Sequence, residues 1–169
     1  MHDIPFQSFP KMPRLEQEIF EITEKIDGTN CLIFVSEDKS IIKAGSRNNW
    51  ITLPDDHFGF GQWVKDHEEE LRTLPPGYHH GEWWGNRIQR GYGLKHNVFS
   101  LFRDVKDKPS CVSVVPHLCS VPFRDLHYTI ETLWREGISW AASQYVVFDR
   151  PEGLIAYGKL TGKRYKIYF

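Results

Sequence analysis

Lys25 stands at the end of an apolar run and directly before a turn, in Lys25-Ile26-Asp27-Gly28-Thr29-Asn30. An amine placed there is a candidate covalent nucleophile. Burial and neighbouring cations favour the neutral form of such a lysine, and only the neutral amine attacks phosphorus. Downstream, His80-Gly81-Glu82-Trp83-Trp84-Gly85 sets one carboxylate between glycines in an aromatic setting, and Arg150-Pro151-Glu152-Gly153-Leu154 sets a second at the mouth of an apolar strand. A buried acid needs a partner. Glu82 could pair with Arg87, or Glu82 and Glu152 could together hold a divalent cation. Arg47 and Lys166 add cations at strand ends or turns. Nucleophile, acids for a metal and cations for phosphates are the inventory for phosphoryl-type transfer from a nucleoside triphosphate, where positioning and charge neutralisation do most of the work.

The elements that position these residues alternate irregularly. In Glu18-Ile19-Phe20-Glu21-Ile22-Thr23-Glu24, Phe20 and Ile22 share one strand face and Glu21 and Thr23 the other, with Asp27-Gly28 as the turn. Strands are expected over 31–35 and 40–44 around Glu37-Asp38, over 78–84, 98–105, 145–148 and 154–157, and over 164–169 as a closing strand. From Phe60, apolar residues recur at Trp63, Val64, Leu71 and Leu74, which predicts one amphipathic helix ended by Pro75. Phe123, Leu126, Ile130, Leu133 and Trp134 predict a second, stopped by Gly137. Strands with helices inserted irregularly indicate an α+β fold.

Composition narrows the function classes. With 169 residues and 40% hydrophobic content the chain can bury one good core, so a single domain over 1–169 is expected. No apolar run approaches the roughly 20 residues needed to cross a bilayer. Met1-His2-Asp3 opens no basic-then-apolar leader, so a cytoplasmic location is expected. Cys31, Cys111 and Cys119 lack paired metal-ligand spacing and read as reduced thiols. A net charge of -1 offers no global attraction to a polyanion, so nucleic acid would be met by local patches. Two exist: Arg87, Arg90, Lys95, Arg103, Lys106 and Lys108 form one, and Lys159, Lys163, Arg164 and Lys166 the other. His79-His80 point to opposite faces of a strand, and Gly91-Tyr92-Gly93 reads as a turn.

Alone, a Lys-x-Asp-Gly string is also an ordinary hairpin turn. The whole stretch Thr23 to Asn30, however, closely resembles the nucleotidyl-transfer motif of ATP-dependent RNA ligases, in the group similar to the second RNA ligase of phage T4. Further segments resemble the ligase and capping-enzyme superfamily in the same order. These are Ser46-Arg47, Glu82 in Gly-Glu-Trp-Trp-Gly, Val98-Phe99-Ser100-Leu101-Phe102, Glu152-Gly153 and Tyr165-Lys166-Ile167. The resemblance spans roughly residues 18 to 169.

That resemblance implies an adenylation (nucleotidyltransferase) domain of the ATP-grasp-like type, with antiparallel sheets flanked by helices. Many ligases add a C-terminal domain; as a departure from that pattern no C-terminal accessory domain is expected here, since the sequence ends at Phe169. The resemblance implies ATP and Mg²⁺ or Mn²⁺ as cofactors. Its product is RNA sealed between 5′-phosphate and 3′-hydroxyl ends through a lysyl-AMP intermediate. By it, Lys25 forms the lysyl-AMP bond, Glu24 seats adenine through its backbone, and Arg47 contacts ribose or phosphate. Asn30 serves the RNA-joining steps, Glu82 binds ribose or metal, Glu152 the metal, and Lys166 the α-phosphate. Phe102 stacks on adenine, with Phe99 as competitor on the opposite strand face. The family's last strand carries Lys-x-Lys, whereas here the pair is Lys166-Ile167-Tyr168 or Arg164-Tyr165-Lys166. An accessory protein could supply further RNA-binding surface. Rival readings are a DNA ligase or GTP-using capping enzyme, which an arginine after Gly28 in place of Thr29-Asn30 would have suggested, and a non-catalytic nucleotide- or RNA-binding module.

Overall fold

Two mainly antiparallel sheets carry the chain in the computed structural model, which describes residues 5–169. Met1-His2-Asp3, on which the expectation of no leader rests, lies outside the described residues. The strands are β1 (Ile19–Lys25), β2 (Thr29–Val35), β3 (Ile42–Ser46), β4 (Gly77–Gly85), β5 (Asn97–Leu101), β6 (Val112–Val114), β7 (His117–Pro122), β8 (Gly153–Gly158) and β9 (Arg164–Tyr168). The helices are α1 (Phe60–Asp66), α2 (Glu68–Leu71) and α3 (Leu126–Glu136). One sheet runs β7-β1-β8-β9 and the other β3-β2-β4-β5-β6, with β5–β6 the parallel pair. The expected α+β class with antiparallel sheets is therefore what forms.

Each sheet buries one face under helix. Ile33 and Val35 of β2, Trp83 of β4 and Phe99 and Leu101 of β5 meet Phe60, Val64, Leu71 and Leu74 from α1, α2 and the turn after them. Phe20 and Ile22 of β1 with Leu154 and Ala156 of β8 meet Leu126, Ile130 and Leu133 of α3. A third apolar cluster includes Ile26, Trp84, Tyr92, Val98 and Ala142, and so joins the loop after β1 to the second sheet. Period-2 alternation thus commits one face of β1 and one face of β4 to core and leaves Lys25 and Glu82 on the opposite faces of those strands.

The differences from expectation have local causes. The helix expected from Phe60 is two, because the chain breaks at His67 (φ −108°, ψ 13°), whose Nδ1 lies 2.8 Å from the Trp63 carbonyl oxygen. Gly137, at φ 63°, stops α3 as read. The strand expected over 145–148 does not form: Val146 and Phe148 cover the Tyr92 cluster instead of joining a sheet. The strand expected over 98–105 ends at Leu101. β6 and β7 had no clear apolar alternation and were not anticipated. Among the described residues no helix is long and apolar enough to cross a membrane, and all three cysteines are free thiols.

Candidate active site

Lys25 leaves β1 on the face opposite Phe20 and Ile22, so the strand that buries those two aims its amine away from the core. The pairing Lys25↔Gly153 brings the residue before β8 alongside it, and Lys25 Nζ lies 2.5 Å from Glu152 Oε2. That oxygen is buried and receives no hydrogen bond, so the ion pair is its polar partner. An acid, rather than the cations expected from sequence, is what the fold sets against the amine. Gly153 lets β9 lie close on the other side: a Cβ there would sit 1.9 Å from the Ile167 carbonyl oxygen. The Tyr168 ring centre lies 5.1 Å from Lys25 Nζ.

Glu82 enters from the other sheet through the pair Asn30↔Glu82. Its Oε1 accepts the Gly28 backbone N–H at 3.1 Å, and its Oε2 accepts the Asn30 amide at 2.7 Å. Asn30 Oδ1 in turn accepts Arg47 Nε at 3.2 Å and Nη2 at 2.8 Å. A single hydrogen-bonded chain therefore runs from Arg47 through Asn30 and Glu82 to the loop that follows Lys25. Burial pushes the Glu82 carboxyl up to about 7; the hydrogen bonds from Asn30 and Gly28 and the Lys25 charge oppose that rise, and Glu152 adds to it. Glu82 consequently does not pair with Arg87, the bland reading of its sequence setting.

These groups, with Lys166, Ile155 and His57, line one cleft of about 510 Å³. Lys166 reaches it because β9 pairs it with Ile155. Arg164 instead stacks over Tyr157, 4.8 Å from the ring centre, so neither Arg164 nor a lysine at 168 doubles the Lys166 charge at the cleft. Glu24 alternates to the opposite face of β1. Its carboxylate accepts the Ser139 hydroxyl and the Ala141 N–H, each at 2.6 Å, and burial pushes its pKa up. Phe99 is fully buried beside Phe60 and Trp83, which removes it as a base platform. Phe102 is half exposed in a small depression that shares Asn30, Ser46 and Arg47 with the cleft.

Three residues sequence reasoning did not single out secure this arrangement. Arg90 Nε donates to Asp27 Oδ2 at 2.8 Å while its Nη1 donates to the Arg150 carbonyl at 3.0 Å, which ties the loop after Lys25 to the loop before Glu152. Tyr92 Oη accepts the Asp27 N–H at 2.7 Å. His57 Nε2 lies 2.9 Å from Thr29 Oγ1. Arg90 had been visible only as one charge in a basic patch. The tyrosine between Gly91 and Gly93 was the available hint that this turn is fastened to something.

Carboxylate oxygens suit Mg²⁺ or Mn²⁺, and Mg²⁺ is commonly held by one or two carboxylates together with substrate phosphates. Glu82 and Glu152 are two acids at one cleft, one of them raised by burial and the other with an oxygen that receives no hydrogen bond, so the donor set fits. Among the described residues no group of three or more His, Cys, Asp or Glu is placed to hold a metal ion by itself.

Residues 18–157 match the family model for RNA ligase. The chain belongs to the RNA ligase family. No curated protein matches it in sequence. Among solved structures, it is similar to a Naegleria gruberi RNA ligase variant with AMP and Mn, at 21% identity and a TM-score of 0.62, over 91% of this chain and 50% of that one. It is also similar to a Naegleria gruberi RNA ligase variant with ATP and Mn, at 20% identity and a TM-score of 0.57, over 96% and 56%. An apo variant gives 20% identity and a TM-score of 0.59, over 91% and 50%. At that identity the likeness concerns the fold, and this family member spans about half the length of those ligases.

Proposed function

We propose that this chain is the adenylation unit of an ATP-dependent RNA ligase, with the domain of the ATP-grasp-like type, and that Lys25 is its nucleophile. The observation that carries the reading is the single cleft that joins Lys25, Glu152, Glu82, Arg47 and Lys166. Solved relatives whose names include ATP or AMP and Mn support the cofactors, and the family supports the RNA substrate.

Lys25 Nζ attacks the α-phosphorus of ATP. An N–P bond forms, the bond from that phosphorus to the bridging oxygen breaks, and pyrophosphate leaves. The Nζ proton must depart to solvent first, since Glu152, paired with Nζ at 2.5 Å, is needed in its ionised form for the metal. Glu82 and Glu152 would hold the divalent cation, which when bound neutralises phosphate charge. Lys166 and Arg47 offset charge on the α-phosphate and its neighbours, and Phe102 stacks on adenine. An RNA 5′-phosphate then attacks the lysyl-AMP phosphorus and releases Lys25. Finally the 3′-hydroxyl attacks that activated 5′-phosphate and AMP leaves.

A sealing assay tests the reading. RNA carrying 5′-phosphate and 3′-hydroxyl ends should be joined with ATP and a divalent cation. Joining of DNA alone, or with GTP alone, would replace RNA ligase by one of its rivals.

A further inference from the structure

The face of the second sheet that bears Asn30 and Glu82 continues away from the cleft in two cross-strand rows. The first pairs Leu32 with His80 and the second pairs Phe34 with Tyr78 and with Lys43. Four residues along β2 separate Asn30 from Phe34, about 13 Å. In that outer row Trp50, carried by the bridge Gly45↔Trp50, joins Phe34 and Tyr78. Phe34 lies 4.9 Å from Tyr78 and 6.2 Å from Trp50 between ring centres, and Trp50 and Tyr78 are near parallel at 26° and 6.5 Å. Lys43 Nζ sits 5.6 Å from the Trp50 ring.

Trp50 is 46% and Tyr78 62% exposed, and neither belongs to a core cluster. Isolated exposed apolar residues are ordinary, but a cluster of three rings, two of them near parallel and partly exposed, is a surface suited to stacking. Lys43 sets a cation beside these rings. Stacking rings with a flanking cation suit unpaired nucleotides, whose bases offer π-faces and whose backbone is anionic.

We infer that Trp50, Tyr78 and Lys43 form a stacking platform for unpaired RNA nucleotides adjoining the end held in the cleft. This rests on the RNA ligase reading and extends it: the platform selects single-stranded RNA at the approach to the site. Phe34 packs against both rings.

The test uses the full chain and the double variant Trp50→Ala/Tyr78→Ala, with two readouts. Labelling of the protein by α-labelled ATP should be unchanged. Affinity for a short fluorescein-labelled single-stranded RNA should fall roughly tenfold for each ring lost. Trp50→Phe and Tyr78→Phe should retain the binding, because a ring remains, whereas Trp50→Leu should not. RNA affinity unchanged in the folded double variant overturns the platform while labelling leaves the adenylation reading standing. Ring-dependent RNA binding by a wild type that takes no label supports the platform and removes the ligase chemistry. Equal ring dependence on duplex RNA also overturns the inference, since paired bases cannot stack on it.

Discussion

Glu82 holds the backbone of Gly28: its Oε1 accepts that N–H at 3.1 Å, so a carboxylate on one sheet fixes the loop that follows Lys25 on the other. Gly28 is packed to allow it, for a Cβ there would lie 2.5 Å from the Trp83 carbonyl oxygen. Gly28→Ala must push the loop off β4, at a cost of about 1–3 kcal/mol. Its thermal midpoint should fall and covalent labelling should slow, as measured by calorimetry and single-turnover labelling. A variant that labels at the wild-type rate would remove this hydrogen bond from the account.

The Glu82 carboxyl, pushed up to about 7 by burial, links stability to pH. Below its ordinary value of about 4.5 both folded and unfolded forms carry the proton. As pH rises from there, the unfolded chain ionises first, so stability falls until about pH 7 and the loss is then complete. The loss is of order 3 kcal/mol without divalent cation. Denaturant titrations of wild type and Glu82→Gln across that window should show a falling curve for the first and a flatter one for the second. Parallel curves would contradict the assignment.

Asn30 donates to Glu82 and accepts from Arg47. Asn30→Asp exchanges the donated hydrogen bond for a second carboxylate beside Glu82, which favours the protonated acid. If the ionised form of Glu82 is the one that acts, the pH at which labelling reaches half its maximum should rise by about one unit. A pH–rate profile that does not move would show that Glu82 serves packing alone.

Arg90 reaches Asp27 and the Arg150 carbonyl with different nitrogens of one planar group. A lysine has one point charge and cannot span both. Arg90→Lys should therefore keep its fold and lower the labelling rate roughly tenfold with little change in ATP affinity, because it loosens the juxtaposition of Lys25 and Glu152. A variant with weakened ATP binding and an unaltered rate would place Arg90 at the nucleotide instead.

Much of the site was legible in the sequence because alternation along single strands decides which way a side chain points. Lys25 opposite Phe20 and Ile22 follows from period 2. What single strands could not convey was their pairing. That Glu82 would bind Asn30 and Gly28 rather than Arg87 depends on the β2–β4 register. That Arg90 clamps two loops depends on a turn folded against Asp27 from far along the chain. β6 and β7 escaped because three and six residues with mixed polar character carry little periodic signal. The apolar run Tyr145-Val146-Val147-Phe148 misled for the opposite cause: it is apolar because it caps a cluster, not because it joins a ladder.

The nucleophilic role of Lys25 is tested most directly by incubating the pure protein with α-labelled ATP, and in parallel GTP, with Mg²⁺, followed by denaturing electrophoresis. Label should appear on the polypeptide from ATP and not from GTP, and should vanish in Lys25→Ala that is folded by circular dichroism. Label persisting on that variant, or none on folded wild type shown by mass to be free of AMP, would contradict the account.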